Sequence, residues 1–199
     1  MSNHRHRFLQ LAITADALRF GQFTLKSGRL SPYFFNAGRF DSGSLMAQLA
    51  NCYADALDES GIRYDVVFGP AYKGIPLATA VACEYAQRGR DLPLSFNRKE
   101  AKAHGEGGTL IGADLTNKRV LIVDDVITAG TAIREALAII KAGGGIPAGI
   151  IVALDRQEVA SDEDRRSAAQ SVAEEAGIPV IAVATMDDLL AFASGNQEL

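Results

Sequence analysis

Residues Val120 to Ala132 read VLIVDDVITAGTA, and IREALAIIKAGGG follows directly. The VLIV run is apolar and mostly β-branched, which suits a strand buried on both faces of a parallel sheet. Asp124 and Asp125 close that strand. A turn of Thr128, Ala129, Gly130 and Thr131 comes next, and an apolar pattern of helical period begins behind it. In open parallel sheets, ligands sit beyond the carboxyl ends of the strands. A small-residue turn at a helix N-terminus presents backbone N–H groups that suit a phosphate. Each signal alone also has a plain structural reading. An Asp at a strand end is often only a turn or cap residue, and a small turn can be packing.

Together the two features impose a constraint. Paired carboxylates repel a phosphate unless something stands between them. Adjacent strand residues point to opposite faces, so the pair is no simple metal clamp. A sugar diol fits, because its hydroxyls donate to carboxylates while its phosphate lies on the turn. A phosphorylated ribose meets that description, and a divalent ion could shield further phosphates. The chain contains neither GxxxxGK[ST] nor GxGxxG, the two common nucleotide-loop patterns.

A second loop repeats the theme. GPAYKGIP, Gly69 to Pro76, follows the short strand DVVFG and opens the helix IPLATAVACEYAQRG. Strand, Gly-Pro turn and helix are a common arrangement, and a lysine there is usually solvated. Beside the first site the loop reads instead as a cradle for a second anion such as pyrophosphate, with Lys73 as its cation. To aim N–H groups and Lys73 inward from one tight turn, the backbone between Pro70 and Gly74 should depart from ordinary geometry, and a non-proline cis peptide at Ala71–Tyr72 is one form this could take.

Outward from these loops, helix-like and strand-like patterns alternate. An amphipathic segment near Phe8–Leu18 leads into FTLKSGRLSPYFFNAG, two short strands joined by a Gly/Ser/Pro loop. SLMAQLANCYADALDESG has helical period and ends at Gly61. PLSFN, AGIIVALDR and PVIAVAT are further strands, and Ser161 with the acids behind it makes a helix start between the last two. The fold class is therefore α/β, a mainly parallel central sheet flanked by helices with a small antiparallel appendage near the N-terminus. RKEAKAHGEGGT, Arg98 to Thr109, breaks the rhythm with four cationic or potentially cationic side chains and three glycines. It reads either as a solvated loop or as a mobile lid carrying charge to a ligand.

Composition narrows the class. At 199 residues, 48% hydrophobic and 22% charged, the chain suits one globular domain. No apolar stretch is long enough to cross a bilayer, and MSNHRHRFLQ is no signal peptide, so neither a membrane partner nor export is expected. Cys52 and Cys83 lie among apolar neighbours in helical patterns, which favours reduced thiols packed in a core and a cytoplasmic setting. His4 and His6 suit a solvated terminus. The net charge of −4 argues against a nucleic-acid partner held by a broad basic face.

These segments resemble the type I phosphoribosyltransferases, whose motif is an apolar strand, two acids and a T-x-G-T turn. FTLKSGRLSPYFFNAG, GPAYKGIPLA, FNRKEAKAHGEGG and ALDRQE narrow the resemblance to the orotate phosphoribosyltransferase family of the bacterial, dimeric kind. The match runs from about Phe20 to Arg156 at motif level, and a C-terminal extension found in some relatives is expected to be absent. The resemblance implies a single domain over residues 1–199, with a hood formed largely by residues 1–40. It implies transfer of ribose 5-phosphate from 5-phosphoribosyl 1-pyrophosphate (PRPP) to orotate, with Mg²⁺ held mainly through PRPP.

Carried over position by position, Asp124 and Asp125 hold the ribose hydroxyls. Val126, Ile127, Thr128, Ala129, Gly130, Thr131 and Ala132 wrap the 5′-phosphate. Tyr72, Lys73 and Lys26 meet the pyrophosphate. Arg98, Lys99, Lys102 and His104 belong to a lid that closes over the neighbouring subunit's site in a homodimer. Lys99, Lys102, His104 and the acidic pair are the implied catalytic set, with His104 either moving a proton or contacting phosphate. Phe34, Phe35, Thr128 and Arg156 form the orotate pocket. Phe34 and Phe35 alternate along a strand, so one should face the base and the other the core. Arg156 could equally pair with Glu158. Two competing readings remain, a phosphoribosyltransferase for another base and a regulator that senses the donor and binds nucleic acid. The acidic balance disfavours the second.

Overall fold

The computed structural model describes residues 3–24, 30–102, 108–158 and 166–195, and the side chains of residues 100–102 and 108 are outside that description. The chain runs α1 (Asn3–Thr14), β1 (Leu18–Thr24), β2 (Leu30–Phe35), a 3₁₀ turn (Ala37–Arg39), α2 (Gly43–Ser60), β3 (Val66–Gly69) and α3 (Gly74–Gln87). It continues with β4 (Leu94–Lys102), β5 (Gly108–Gly112), β6 (Arg119–Val123), α4 (Thr131–Ala142), β7 (Ile146–Asp155), α5 (Ala168–Ala176), β8 (Val180–Thr185) and α6 (Met186–Gly195). β1 and β2 pair antiparallel as a separate two-stranded sheet. The main sheet has the order β5-β4-β3-β6-β7-β8, parallel except for the antiparallel edge strand β5.

The strands alternate their apolar side chains between two cores. Leu121, Val123, Ile151 and Ala153 pack with α1, α2, α3 and α6 on one face. Val120, Ile122, Ile150 and Val152 pack with α4 and α5 on the other. Burial on both faces explains why β3, β6 and β7 read as near-continuous apolar runs. Each fully buried Ile or Leu contributes about 1.5–3 kcal/mol.

The order of strands has one consequence that decides the site. From β3 the chain crosses through α3 to β4 on one side, and from β6 it crosses through α4 and β7 to the other. β3 and β6 are neighbours, and their helices leave to opposite faces. The loops that follow them therefore flank the switch point of the sheet, where a crevice opens.

Helix ends follow local chemistry. The Ser42 hydroxyl accepts from the Leu45 N–H to start α2, and Gly61 ends it at φ 66°, as its place after the apolar pattern implied. Ser161 lies outside the described residues. The described helix α5 starts from Ser167, which forms a reciprocal capping box with Gln170.

Four expectations are corrected. The first helix is Asn3–Thr14, and Leu18 already belongs to β1. Arg98 to Lys102 is strand rather than loop, because β4 runs on and pairs with β5 as a hairpin. That hairpin's side chains lack the apolar alternation of a strand packed on a core. Cys52 is buried, but Cys83 sits on the exposed side of α3. His4 is 5% exposed, because α1 packs against α2 and brings its ring within 3.4 Å of Glu59, while His6 is exposed as expected.

Candidate active site

The two loops meet through charge. Lys73 Nζ lies 2.9 Å from Asp125 Oδ2. Asp125 Oδ1 accepts the Val126 N–H, and Asp124 Oδ1 accepts the Asp125 N–H, each at 2.9 Å. Both aspartates are buried at 7% exposure. Burial, and then the neighbouring Asp125 charge, push the Asp124 carboxyl up to about 7. The pair is a desolvated acidic site with one cation already in place.

The Gly69–Gly74 turn is tight enough to exclude side chains. A Cβ on Gly69 would lie 2.4 Å from the Gly74 carbonyl oxygen, and one on Gly74 would lie 2.8 Å from the Val123 carbonyl oxygen. Glycine at both ends lets the turn press against β6. The Ala71–Tyr72 peptide within it is cis, the departure expected for this loop. Tyr72 is 68% exposed, and the Lys99 ammonium stands 5.4 Å from its ring centroid. Asn97 on β4 accepts the Ala71 N–H at 2.9 Å and ties the turn to the hairpin.

Val126 to Ala132 form the connection into α4. Thr128, Ala129, Thr131 and Ala132 are exposed, and Ile127 is tucked into the core. Gly130 caps α4 at φ 75° with no side-chain cap, so the first-turn N–H groups face no protein acceptor from the cap residue. That is the condition for an anion at a helix N-terminus. Arg134 secures the turn from behind, donating to the Ala129 carbonyl at 2.7 Å and to Glu175 at 2.8 Å.

The N-terminal hairpin supplies an aromatic wall. Phe35 packs toward Phe8 and the main core, while Phe34 stacks with Phe23 at 5.6 Å under the Arg19 guanidinium. The alternation thus sends one ring to the core and leaves the other outside it. Tyr33, the buried residue before them on β2, accepts from Arg156 Nε at 3.2 Å and links the hairpin to the end of β7. Arg156 also pairs with Glu158 at 2.5 Å, the alternative partner its neighbourhood suggested.

The structure thus brings Tyr72, Lys73, Lys99, Asp124, Asp125 and the Thr128–Ala132 turn together beyond the carboxyl ends of β3, β4 and β6. Arg98 sits on the same strand as Asn97 and Lys99. Lys26 and His104 lie outside the described residues, as does the side chain of Lys102. Sequence reasoning missed Asn97, Tyr53 and Arg134. The contacts of Asn97 and Tyr53 span 26 and 71 residues, and Arg134 reaches Ala129 five residues back while its carboxylate partner Glu175 lies 41 residues on.

An acidic pair and an uncapped helix start beside a cationic Gly-Pro turn, at the switch point of this sheet, define a type I phosphoribosyltransferase. A family model described as the phosphoribosyl transferase domain matches residues 37–180. An orotate phosphoribosyltransferase from Stenotrophomonas maltophilia (strain K279a) is 85% identical over 199 residues, covering 100% of this chain and 91% of that protein. Its counterpart from Xanthomonas euvesicatoria pv. vesicatoria is 78% identical over the same span and share. Among solved structures, the orotate phosphoribosyltransferase of Francisella tularensis superposes with a TM-score of 0.87 at 44% identity, over 95% of this chain and 90% of that one. The chain belongs to the orotate phosphoribosyltransferase family. No described helix is long and apolar enough to cross a membrane.

Proposed function

We propose that the protein transfers ribose 5-phosphate from PRPP to orotate in pyrimidine nucleotide synthesis, giving orotidine 5′-monophosphate and pyrophosphate. The observation that carries this reading is the meeting of Lys73 with the Asp124–Asp125 pair at the switch point, beside the open start of α4. In this reading the carboxylates accept the ribose hydroxyls, and the 126–132 turn takes the 5′-phosphate. Tyr72, Lys73 and Lys26 meet the pyrophosphate. The bond from the anomeric carbon to the pyrophosphate oxygen breaks as the bond to the orotate ring nitrogen forms, and the proton on that nitrogen leaves to the departing pyrophosphate or to solvent. The sugar becomes cation-like while negative charge builds on the leaving group. Lys73, Lys99, Lys102 and Arg98 stabilise that charge most strongly once water is excluded. His104 contributes a phosphate contact or a proton. Phe34 and Thr128 line the base pocket, Phe35 backs it from the core, and Arg156 faces the orotate carboxylate.

Mg²⁺ is a hard cation that seeks oxygen ligands. One oxygen of each aspartate already accepts a backbone N–H, and Asp125 also holds Lys73. That donor set fits a metal held mainly on the pyrophosphate oxygens of PRPP, with the acidic pair free to hold the ribose hydroxyls. A Mg²⁺ ion held there would supply charge neutralisation to the leaving group.

The protein acts as a cytoplasmic homodimer in which the β4–β5 hairpin serves the partner's site. Support comes from that hairpin's position at the sheet edge with Arg98, Lys99 and Lys102 on its first arm. The test is an activity screen of orotate, uracil and purine bases with PRPP and Mg²⁺. Turnover confined to orotate is the expected result. Preference for another base would overturn the assignment of the base pocket, and no turnover with any base would overturn the transferase reading.

A further inference from the structure

The hydrogen-bond ladder between β6 and β7 skips a residue at the acidic pair. The Asp124 N–H donates to the Ile151 carbonyl at 3.0 Å, as a regular parallel ladder requires. The next rung should run from the Ala153 N–H to the Asp124 carbonyl. The Ala153 N–H instead donates to the Asp125 carbonyl, at 2.9 Å. One extra residue has entered the β6 side, and the Asp124 carbonyl is released from the sheet in a buried setting. A buried carbonyl without a donor is costly.

Tyr53 supplies the donor. It lies on α2, its side chain is 0% exposed, and its hydroxyl donates to the Asp124 carbonyl at 2.8 Å. Burial, followed by the Asp125 and Asp124 charges, holds the phenol well above its ordinary range, so it keeps its proton and remains a donor. The released peptide joins the two aspartates, so its orientation sets where both carboxylates start. The Asp125 N–H of that same peptide is the one that Asp124 Oδ1 accepts.

We infer that Tyr53 is a positioning residue for the acidic pair, its hydroxyl locking the Asp124–Asp125 peptide so that both carboxylates meet the ribose hydroxyls of PRPP. The inference rests on the reading that the pair holds those hydroxyls. Tyr53 touches no substrate in this scheme. It acts through the backbone of the residues that do.

The test uses the full chain with Tyr53→Phe, which keeps the ring and removes the hydroxyl. The control is Tyr85→Phe, which removes another hydroxyl donor packed against α2, bonded to the Ala54 carbonyl at 3.2 Å and to Asp58 at 2.7 Å. Tyr53→Phe should raise the KM for PRPP roughly ten-fold, the scale of one lost buried hydrogen bond, while the KM for orotate holds. Tyr85→Phe should leave both constants unchanged. The rise in melting temperature produced by PRPP with Mg²⁺ gives a second readout that serves even a destabilised variant. That rise should shrink in Tyr53→Phe and persist in Tyr85→Phe. An unchanged PRPP constant and an unchanged thermal shift in Tyr53→Phe would overturn the inference, as would equal effects in the two variants. Asp124→Asn and Asp125→Asn are run alongside. If neither weakens PRPP binding, it is the ribose reading that fails. If both weaken it and Tyr53→Phe does not, only the positioning role fails.

Discussion

Lys73 Nζ stands 2.9 Å from Asp125 Oδ2 and so joins two loops 52 residues apart in the chain. The lysine is 60% exposed against 10% for its partner's side chain, so solvent screens the pair, and it contributes only about 0–1 kcal/mol to stability. Its value lies in where it holds charge. Lys73→Ala should lower kcat/KM for PRPP by roughly 100-fold, about 2.7 kcal/mol of transition-state stabilisation. Its melting temperature should stay within about 4 °C of the parent. A large thermal loss with unchanged kinetics would assign the contact to structure instead.

Asp124 makes stability depend on pH in a direction opposite to that of most carboxylates. Its folded value is raised to about 7, so the folded state holds the proton more tightly than the unfolded chain does. The stability this confers is complete below the ordinary value of 3.8 and is lost as pH rises through about 7. Asp55 is partly buried yet held low by Arg88 and Arg7, so it loses stability only at more acid pH. In ligand-free protein, Asp124→Asn should therefore be the more stable form at pH 8, by on the order of 2–4 kcal/mol, and the gap should shrink to roughly half by pH 5.5 and close only near the ordinary value of 3.8. Thermal melts of both proteins across that range check this. A gap independent of pH would contradict it.

Arg156 is held between Tyr33 and Glu158 at the end of β7. Orotate differs from uracil by a carboxylate, and a charged hydrogen bond to it is worth about 1.5–3 kcal/mol. Arg156→Ala should raise the KM for orotate by roughly 10- to 150-fold and leave that for PRPP near normal. If orotate affinity is unchanged, the pairing with Glu158 is the residue's whole role.

Sharing of the hairpin between subunits can be read by complementation. Lys102→Ala and Asp125→Asn should each nearly abolish activity as homodimers. If the hairpin acts in trans, a mixed dimer has one site with both lesions and one site with none. Random exchange of equal amounts should then restore roughly a quarter of the parent activity, since half the dimers are mixed and each has one intact site of two. Size-exclusion chromatography establishes exchange, and circular dichroism establishes folding. No recovery despite exchange would show that each hairpin serves its own subunit.

Much of the architecture could be read from residues one at a time. VLIV before Asp124, VVF before Gly69 and IIVAL before Asp155 are apolar because those strands are covered on both faces, and that burial leaves a local signature. Gly61 ends α2 because a left-handed residue is needed there. The charged arm Arg98–Lys102 and the short strand β5 escaped notice because a two-stranded hairpin at a sheet edge, unlike a strand packed on a core, requires no apolar alternation. His4 escaped because its burial comes from α2, whose Glu59 beside it lies 55 residues along the chain.

Both anion loops, the acidic pair, Lys73 and the family resemblance were therefore present in the linear order of residues, since each depends on chemistry within a few positions. That the loops share one crevice was not. It follows from β3 and β6 lying side by side while α3 and α4 leave to opposite faces, a result of packing two cores against one sheet. Tyr53 shows the same limit at the scale of one bond. Along the chain it is another apolar-patterned position of α2. Its hydroxyl matters only because the folded ladder skips a rung and turns the Asp124 carbonyl toward it, and a contact spanning 71 residues leaves no local trace.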